Sequence, residues 1–430
     1  MAEDSLLTPN PYYMDNVSTA SEKVEVVASE DIFNEKGILL WKKGALIDKR
    51  LKDRLLAHKL NKPLEASISA VNGVTASSIL KEAESILESD SIIERFVAPH
   101  RVIVLNTLRR RLPPLHASVT TALTIVNENE TGGFHHAVTV ALLGTALAVR
   151  QNMSEADIGI VAMGGLLHDI GELYVNPDYL KSKRPLLPHE WKHVAVHPRI
   201  GQVVMENLKA APIQVTQAIS EHHERFDGSG YPRRAAGNAI SPAGQTLAVA
   251  ELLGGIFQRK SRAFARACLA IKLIKDEHNP AIVSIVADIK SKVGDLDQNE
   301  EVVFEKANLM QRVNYINQAL KMGIDECMEL VKAGLPSSGQ KIAERAWTRL
   351  LRIRIAYDDT GVDDCINTAE LGTAGAAGDD EQIEIEVVVR EVEWHITNVI
   401  REILLGTTDD QNSAKAFERL IAILSGKIET

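Results

Sequence analysis

The 430-residue chain is 45% hydrophobic, 25% charged and only 4% aromatic, a globular composition too long for one ordinary domain. Its formal charge of −10 argues against a broad basic face for duplex nucleic acid, so an anionic ligand needs a special site. Cys268, Cys327 and Cys365 lie far apart without CxxC spacing, which argues against a disulfide framework or a cysteine zinc site and fits reduced thiols in a cytoplasmic protein.

The N-terminus, MAEDSLLTPNPYYMDN, opens on acidic residues and carries no secretory signal pattern. In VEVVASEDI and GILLWKKGALI, β-branched and polar residues alternate around the turn signal Asn34–Gly37, which predicts a hairpin. Leu51, Leu55 and Leu56 then fall at helical spacing. The stretch from Thr75 to Val97 predicts one amphipathic helix capped by Ser77 or Ser78. Arg109, Arg110 and Arg111 read as a solvated helix face ahead of Pro113 and Pro114.

From about Val119 to Val293 the pattern is almost wholly helical. Its most apolar runs, Ala137 to Val149 and Ile158 to Leu167, fall short of the roughly 18 to 20 residues a membrane span requires. They predict buried helices, with Ser154 as a cap. A further helix is expected from Pro212 to His223, ending in the glycine-rich loop Asp227–Pro232. Helical periodicity resumes over Val302–Ala333, Ile342–Tyr357, Ile383–Leu405 and Ser413–Lys427, interrupted by an acidic loop of small residues at 358–381.

Eight of the 13 histidines lie between 135 and 223. His168-Asp169 ends one apolar helix, His136 sits on an earlier one, His197 precedes Pro198, and His222-His223 precede Glu224. Burying five imidazoles and a carboxylate without a partner is costly, and metal ions would satisfy them. Nitrogen and carboxylate donors without thiolates suit Fe, Mn, Zn or Ni rather than Mg or Ca. A carboxylate such as Asp169 can bridge two ions roughly 3.5 to 4 Å apart, which generates a hydroxide and steadies an in-line phosphoryl displacement. Phosphodiester hydrolysis is the matching reaction. His135, His189 and His193 read as bland, although His189, His193 and His197 would share one helical face through their four-residue spacing. Adjacent histidines point about 100° apart on a helix, so His222 and His223 reach one cluster only from a helix end.

LLHDIGE (Leu166–Glu172), EWKHVAVHPRIG (Glu190–Gly201) and HHERFDGSGYP (His222–Pro232) together resemble the HD-GYP phosphohydrolases, a branch of the HD superfamily. The resemblance covers roughly Ala122 to Val293 and implies an all-helical HD bundle that hydrolyses cyclic di-GMP with two divalent transition metals, iron or manganese. It implies His136, His168, Asp169, His197, His222, His223 and Glu251 as metal ligands, with Asp169 and His168 at the centre of catalysis. Glu172, Asp227, Gly230, Tyr231, Pro232, Arg259, Lys260 and Arg262 are the implied substrate-side residues. A GGDEF-type or other signalling protein is an implied partner, and the flanking regions offer surfaces for such a partner or a homodimer.

The chain thus divides into a small α+β module (1–73), a helical linker (74–121), an HD-GYP-like domain (122–298) and a C-terminal helical region (299–430), mainly α throughout. Three departures stand out. The family lysine of HDxGK is Glu172, a reversal of charge toward an anionic substrate. The motif ADxxDA is AELLGG, which puts Glu251 at the metal-binding aspartate and Gly254 at the second aspartate. The glutamate that allows a third metal is Gly132, so two ions are the most expected. A module that binds metal or nucleotide without turnover, or a phosphohydrolase with another substrate, stands as the alternative to the phosphodiesterase.

Overall fold

The computed structural model describes residues 7–111, 115–129, 132–182, 184, 186–258, 263–293, 306–362, 379–407 and 411–427. The fold is mainly helical. Helix α1 (Pro11–Ala20) is followed by strands β1 (Val26–Ala28), β2 (Ile32–Phe33) and β3 (Leu39–Trp41), helix α2 (Lys49–Leu56) and strand β4 (Ile68–Ala70). The expected hairpin is present as the antiparallel pair β2–β3, closed by Gly37 at φ 74°, with Asn34 Oδ1 accepting from the backbone N–H of Lys36 and Ile38 at 3.0 and 2.8 Å. β1 pairs instead with the later β4.

The predicted helix over 75–97 is two helices, α3 (Ala76–Ser89) and α4 (Ser91–Val97). Asp90 breaks it in an extended conformation, and its carboxylate caps α4 by accepting from Ile92 and Ile93 N–H. The cap of α3 is Thr75 rather than Ser77 or Ser78, in a reciprocal capping box with Ser78. Then come α5 (Arg101–Arg111), on which Arg109 and Arg110 are exposed, α6 (Ala117–Glu128), α7 (Gly133–Arg150) and α8 (Glu155–Leu167). The next helices are α9 (Pro177–Leu180), α10 (Pro188–Ala195), α11 (His197–Asn207), α12 (Ile213–Glu221), α13 (Pro242–Phe257), α14 (Ala263–Leu273) and α15 (Pro280–Val293). His189 and His193 keep their four-residue spacing on α10, but the helix stops at Ala195 and His197 opens the next one, so the expected three-histidine face is interrupted.

The chain forms two compact units. The first comprises Met1–Pro185, His193–Phe264 and Glu277–Gly294, so the N-terminal α+β stretch belongs to the same unit as the central bundle. Its core is α7 against α8 and α13, with Leu142, Leu143, Leu147, Val161 and Leu247 wholly buried. Burying each such side chain contributes about 1.5–3 kcal/mol. The second unit, Leu186–Lys192, Ala265–Asp276 and Asp295–Thr430, holds α16 (Lys306–Lys332), α17 (Ser337–Asp358), α18 (Asp379–Thr407), α19 (Gln411–Ala416) and α20 (Glu418–Leu424). Leu320, Leu350, Val392, Ile396 and Phe417 are wholly buried in its core. The segment 413–427, expected as one helix, is broken at Phe417. The expected acidic loop loses its ends to helices, Asp358 to α17 and Asp379–Glu381 to α18, and its middle lies outside the described residues. Cys268 and Cys327 are buried, while Cys365 lies outside the described residues. Among the described residues no single helix is long and apolar enough to cross a membrane.

Candidate metal centre

Three imidazoles are set by one local device. His168 follows the last turn of α8, His197 opens α11 after the end of α10, and His222 caps α12. Each ring places Nδ1 on the carbonyl three residues back: His168 on Gly165 at 2.7 Å, His197 on Val194 at 2.9 Å and His222 on Ile219 at 2.6 Å. A carbonyl only accepts, so Nδ1 carries the hydrogen and donates it, and in the neutral ring Nε2 is left as a lone pair. Those helix ends otherwise have unpaired carbonyls, so the same bond that satisfies the backbone orients the ring.

The three lone pairs converge. Nε2 of His197 and of His222 lie 3.2 Å apart, both near Asp169 Oδ1, at 3.3 and 3.5 Å. On the other side, His168 Nε2 is 3.0 Å from Asp169 Oδ2 and 3.1 Å from Glu251 Oε2, and His136 Nε2 is 2.8 Å from Glu251 Oε2 and 3.8 Å from Asp169 Oδ2. His168 Nε2 is wholly buried and has no hydrogen-bond partner among the described residues. Lone pairs facing lone pairs and carboxylates at these distances repel unless cations or protons lie between them, and a site built only of imidazole and carboxylate donors fits divalent transition ions. Two donor groups satisfy that geometry, Asp169 with His197, His222 and His223, and His136 with His168 and Glu251. This cluster has the donors to hold divalent metal ions.

Electrostatics follow the arrangement. Burial alone would lower the pKa of His168, but the carboxylates of Asp169 and Glu251 outweigh it and hold the pKa well above the usual imidazole value. His136 and His197 are raised in the same way, against burial, by Glu251 and by Asp169 respectively. Burial pushes His222 down to about 4 and His223 well below the usual value, so both are neutral at physiological pH, the form that ligates. Asp169 and Glu251 stay well below the carboxylate range, because the imidazoles facing them overcome their desolvation. Glu172 is pushed up to about 7 by burial and by the neighbouring Asp169 charge.

A tight backbone approach places Asp169. A Cβ on Gly171 would strike the carbonyl of His197, so only glycine lets the 3-10 turn Ile170–Tyr174 lie against the start of α11. Behind His222, Tyr231 stacks on His223 with centroids 4.7 Å apart and its N–H donates to His223 O at 3.1 Å. Glu224 accepts from Arg233 and Ala235 N–H at 2.8 and 2.9 Å, and Asp227 Oδ1 accepts from Ser229 N–H, which closes the loop on itself.

Residues 120–279 match the family model described as an HD domain. The 3′3′-cGAMP-specific phosphodiesterase 2 of Vibrio cholerae is 30% identical over 133 residues, 31% of this chain and 25% of the relative. The cyclic di-GMP phosphodiesterase response regulator RpfG of Xanthomonas campestris is 32% identical over 115 residues, 26% and 30% of the two chains. A cyclic di-GMP phosphodiesterase of Thermotoga maritima is 26% identical over 172 residues, 39% and 47%. The central segment is an HD domain, similar to these phosphodiesterases. The matched part spans between a quarter and about half of the length of these curated relatives.

The HD domain opens onto a cavity of about 940 Å³ lined by Asp169, Glu172, His136 and Glu251, at the upper end of small-molecule sites. Asp227, Gly230, Tyr231 and Pro232 do not line it; they form the loop that backs His223. Arg259, Lys260 and Arg262 lie outside the described residues. Gly254 packs on the first histidine: a Cβ there would meet Val140 at 3.1 Å and the His136 ring at 3.5 Å. Gly132 caps α7 at φ 73°, a conformation that a glutamate would adopt only with strain. Sequence reading missed Asp15, Asn16, Asn129, Lys181 and Gln258, which also line the cavity. Gln258 could have been found, since it lies seven residues after Glu251 on one helical face, and its side-chain amide is 3.0 Å from His136 Nδ1. For His136 to ligate through Nε2, that amide presents its oxygen to Nδ1–H.

Proposed function

We propose that the protein is a metal-dependent phosphodiesterase of cyclic dinucleotides, hydrolysing cyclic di-GMP or a close relative at a dinuclear centre. The observation that carries this reading is Asp169, whose two oxygens face different imidazole groups, Oδ1 toward His197 and His222 and Oδ2 toward His168 and His136. His223 would complete the first set of ligands and Glu251 the second. Bound iron or manganese ions would make a nucleophile of water at neutral pH and offset charge on the phosphoryl oxygens.

The chain's own residues supply the rest. The carbonyl-locked imidazoles keep their lone pairs aimed without reorganisation. The cavity holds the dinucleotide against the centre, and Lys181 is the lysine or arginine that lines it among the described residues, placed to meet a phosphate. Glu172, whose carboxyl is pushed up to about 7 by burial and by the Asp169 charge, faces the same cavity beside Asp169. The activities named for the Vibrio, Xanthomonas and Thermotoga relatives support the substrate class.

The test is anaerobic purification with iron or manganese, metal analysis, and chromatography of cyclic di-GMP and 3′3′-cGAMP, with Asp169→Ala as control. Turnover that survives Asp169→Ala sinks the site, and metal-replete protein that turns over neither dinucleotide sinks the activity. The second reading, a module that binds metal or nucleotide without hydrolysis, is favoured by the four acids in the cavity wall, Asp15, Asp169, Glu172 and Glu251. Glu172→Lys separates the two: a rise in hydrolysis marks the acid as a lesion in a phosphodiesterase, a fall marks it as part of a retuned site, and binding without turnover in both forms fits the regulatory module.

A further inference from the structure

Helix α1 forms part of the cavity wall through Asp15, Asn16 and Thr19, although it lies more than a hundred residues from the HD motif. Its inner face is apolar and buried at Tyr13, Met14 and Val17. Asn16, half-buried beside them, uses both ends of its amide. Nδ2 donates to Leu173 O at 2.9 Å, across 157 residues, and Oδ1 accepts from Asn129 Nδ2 at 2.9 Å, across 113 residues. Leu173 lies in the turn that begins just after Asp169, and Asn129 ends α6 just ahead of α7, which carries His136. One side chain therefore ties together the two walls of the cavity, one bearing the bridging aspartate and the other the first histidine.

Around Asn16 the helix is held rigidly. Asn10 caps α1 through Tyr12 and Tyr13 N–H at 2.9 and 3.0 Å, and its Nδ2 reaches Tyr174 O at 3.4 Å. Tyr13 stacks on Tyr174 with centroids 4.8 Å apart, Tyr174 donates to the buried Glu65 at 2.7 Å, and Asp15 pairs with Lys52 of α2. Packing alone asks only for an apolar surface on α1. A doubly bonded amide at the cavity wall asks for position.

We infer that Asn16 is a positioning residue for hydrolysis at the Asp169 centre, and that helix α1 is a wall of the substrate cavity rather than part of a detachable sensor. This rests on the phosphodiesterase reading above. Asn16 touches neither the cluster nor the reacting bond. It fixes the spacing between Ile170–Tyr174 and the start of α7, on which dinucleotide fit depends.

The experiment uses the full chain and the variants Asn16→Ala, Asn16→Asp and Asn129→Ala, with whichever cyclic dinucleotide the wild type hydrolyses. Asn16→Ala should raise KM by about tenfold with a smaller fall in kcat, leave bound metal unchanged, and speed hydrogen exchange in a peptide covering 169–176 but not in one covering 213–221. Asn16→Asp keeps the acceptor, loses the donor and adds a charge, so KM should rise further. Asn129→Ala removes one bond and should shift the same readouts less, which keeps the test intact if Asn16→Ala fails to fold. Unchanged KM and unchanged exchange at 169–176 overturn the inference. If the wild type hydrolyses neither dinucleotide, the activity reading falls, and exchange at 169–176 still decides the role of Asn16.

Discussion

The two halves of the cluster are held by different means. On one side His197 and His222, almost wholly buried, take their orientation from backbone carbonyls, and His223 takes its own from the stacked Tyr231. On the other side His168 is locked by the Gly165 carbonyl in the same way, but His136 is set by side chains, Glu251 of α13 and Gln258 just past its end. The segments that carry His197, His222 and His223 keep the motifs of the resemblance, whereas the departures Glu251, Gly254 and Gly132 gather around His136. A ligand fixed by helix ends is hard to vary, and a ligand fixed by other side chains can be retuned one residue at a time.

That contrast can be broken by substitution. His222→Ala should reduce hydrolysis to background and remove the ion on its own side, because it deletes a buried donor and leaves His197 Nε2 unmatched. Retention of two ions per chain by this variant would abolish the distinction. Glu251→Ala should cost one ion of two while Glu251→Asp keeps both, read by metal analysis; loss of both ions from Glu251→Ala would show the halves to be one cooperative site. Gln258→Leu should weaken metal affinity by about 10–100-fold, the range for residues that orient ligands, and no shift in a metal titration would leave His136 oriented by Glu251 alone.

A smaller effect concerns pH in chelated protein. The raised pKa values of His136, His168 and His197 mean that their protonated forms are stabilised by the facing carboxylates. That contribution is complete below the unfolded imidazole value of about 6.5 and is lost as pH rises through the raised folded values. His222 and His223, both lowered, are already neutral there and do not contribute. Tm of the chelated protein should therefore fall as pH rises above about 6.5, while metal-loaded protein holds steady. Parallel Tm curves for the two forms would show that the cluster does not stabilise the fold through protonation.

Much of the cluster was legible in the sequence because most of its candidate ligands sit at helix ends, and helix ends leave marks: a cap at Ser154, a proline after His197, a glycine loop after His223. The broken helices were less legible. Asp90 reads as one more polar residue within a good amphipathic pattern, yet it caps the next helix, and the four-residue spacing from His189 to His197 says nothing of the break between them. The contribution of α1 was not legible at all. Hydrogen bonds from Asn16 to Leu173 and Asn129 span separations that no local pattern encodes, and a lone asparagine in a polar leader looks like any other.

The Nδ1 bonds to Gly165, Val194 and Ile219 have one more consequence. Because the acceptor in each case is main chain, no side chain exists whose replacement would release the tautomer. A mutational survey of the cluster would find sensitivity at the rings, would read any effect at Gly165, Val194 and Ile219 as packing, and would miss the part of the centre that proteins of any sequence share.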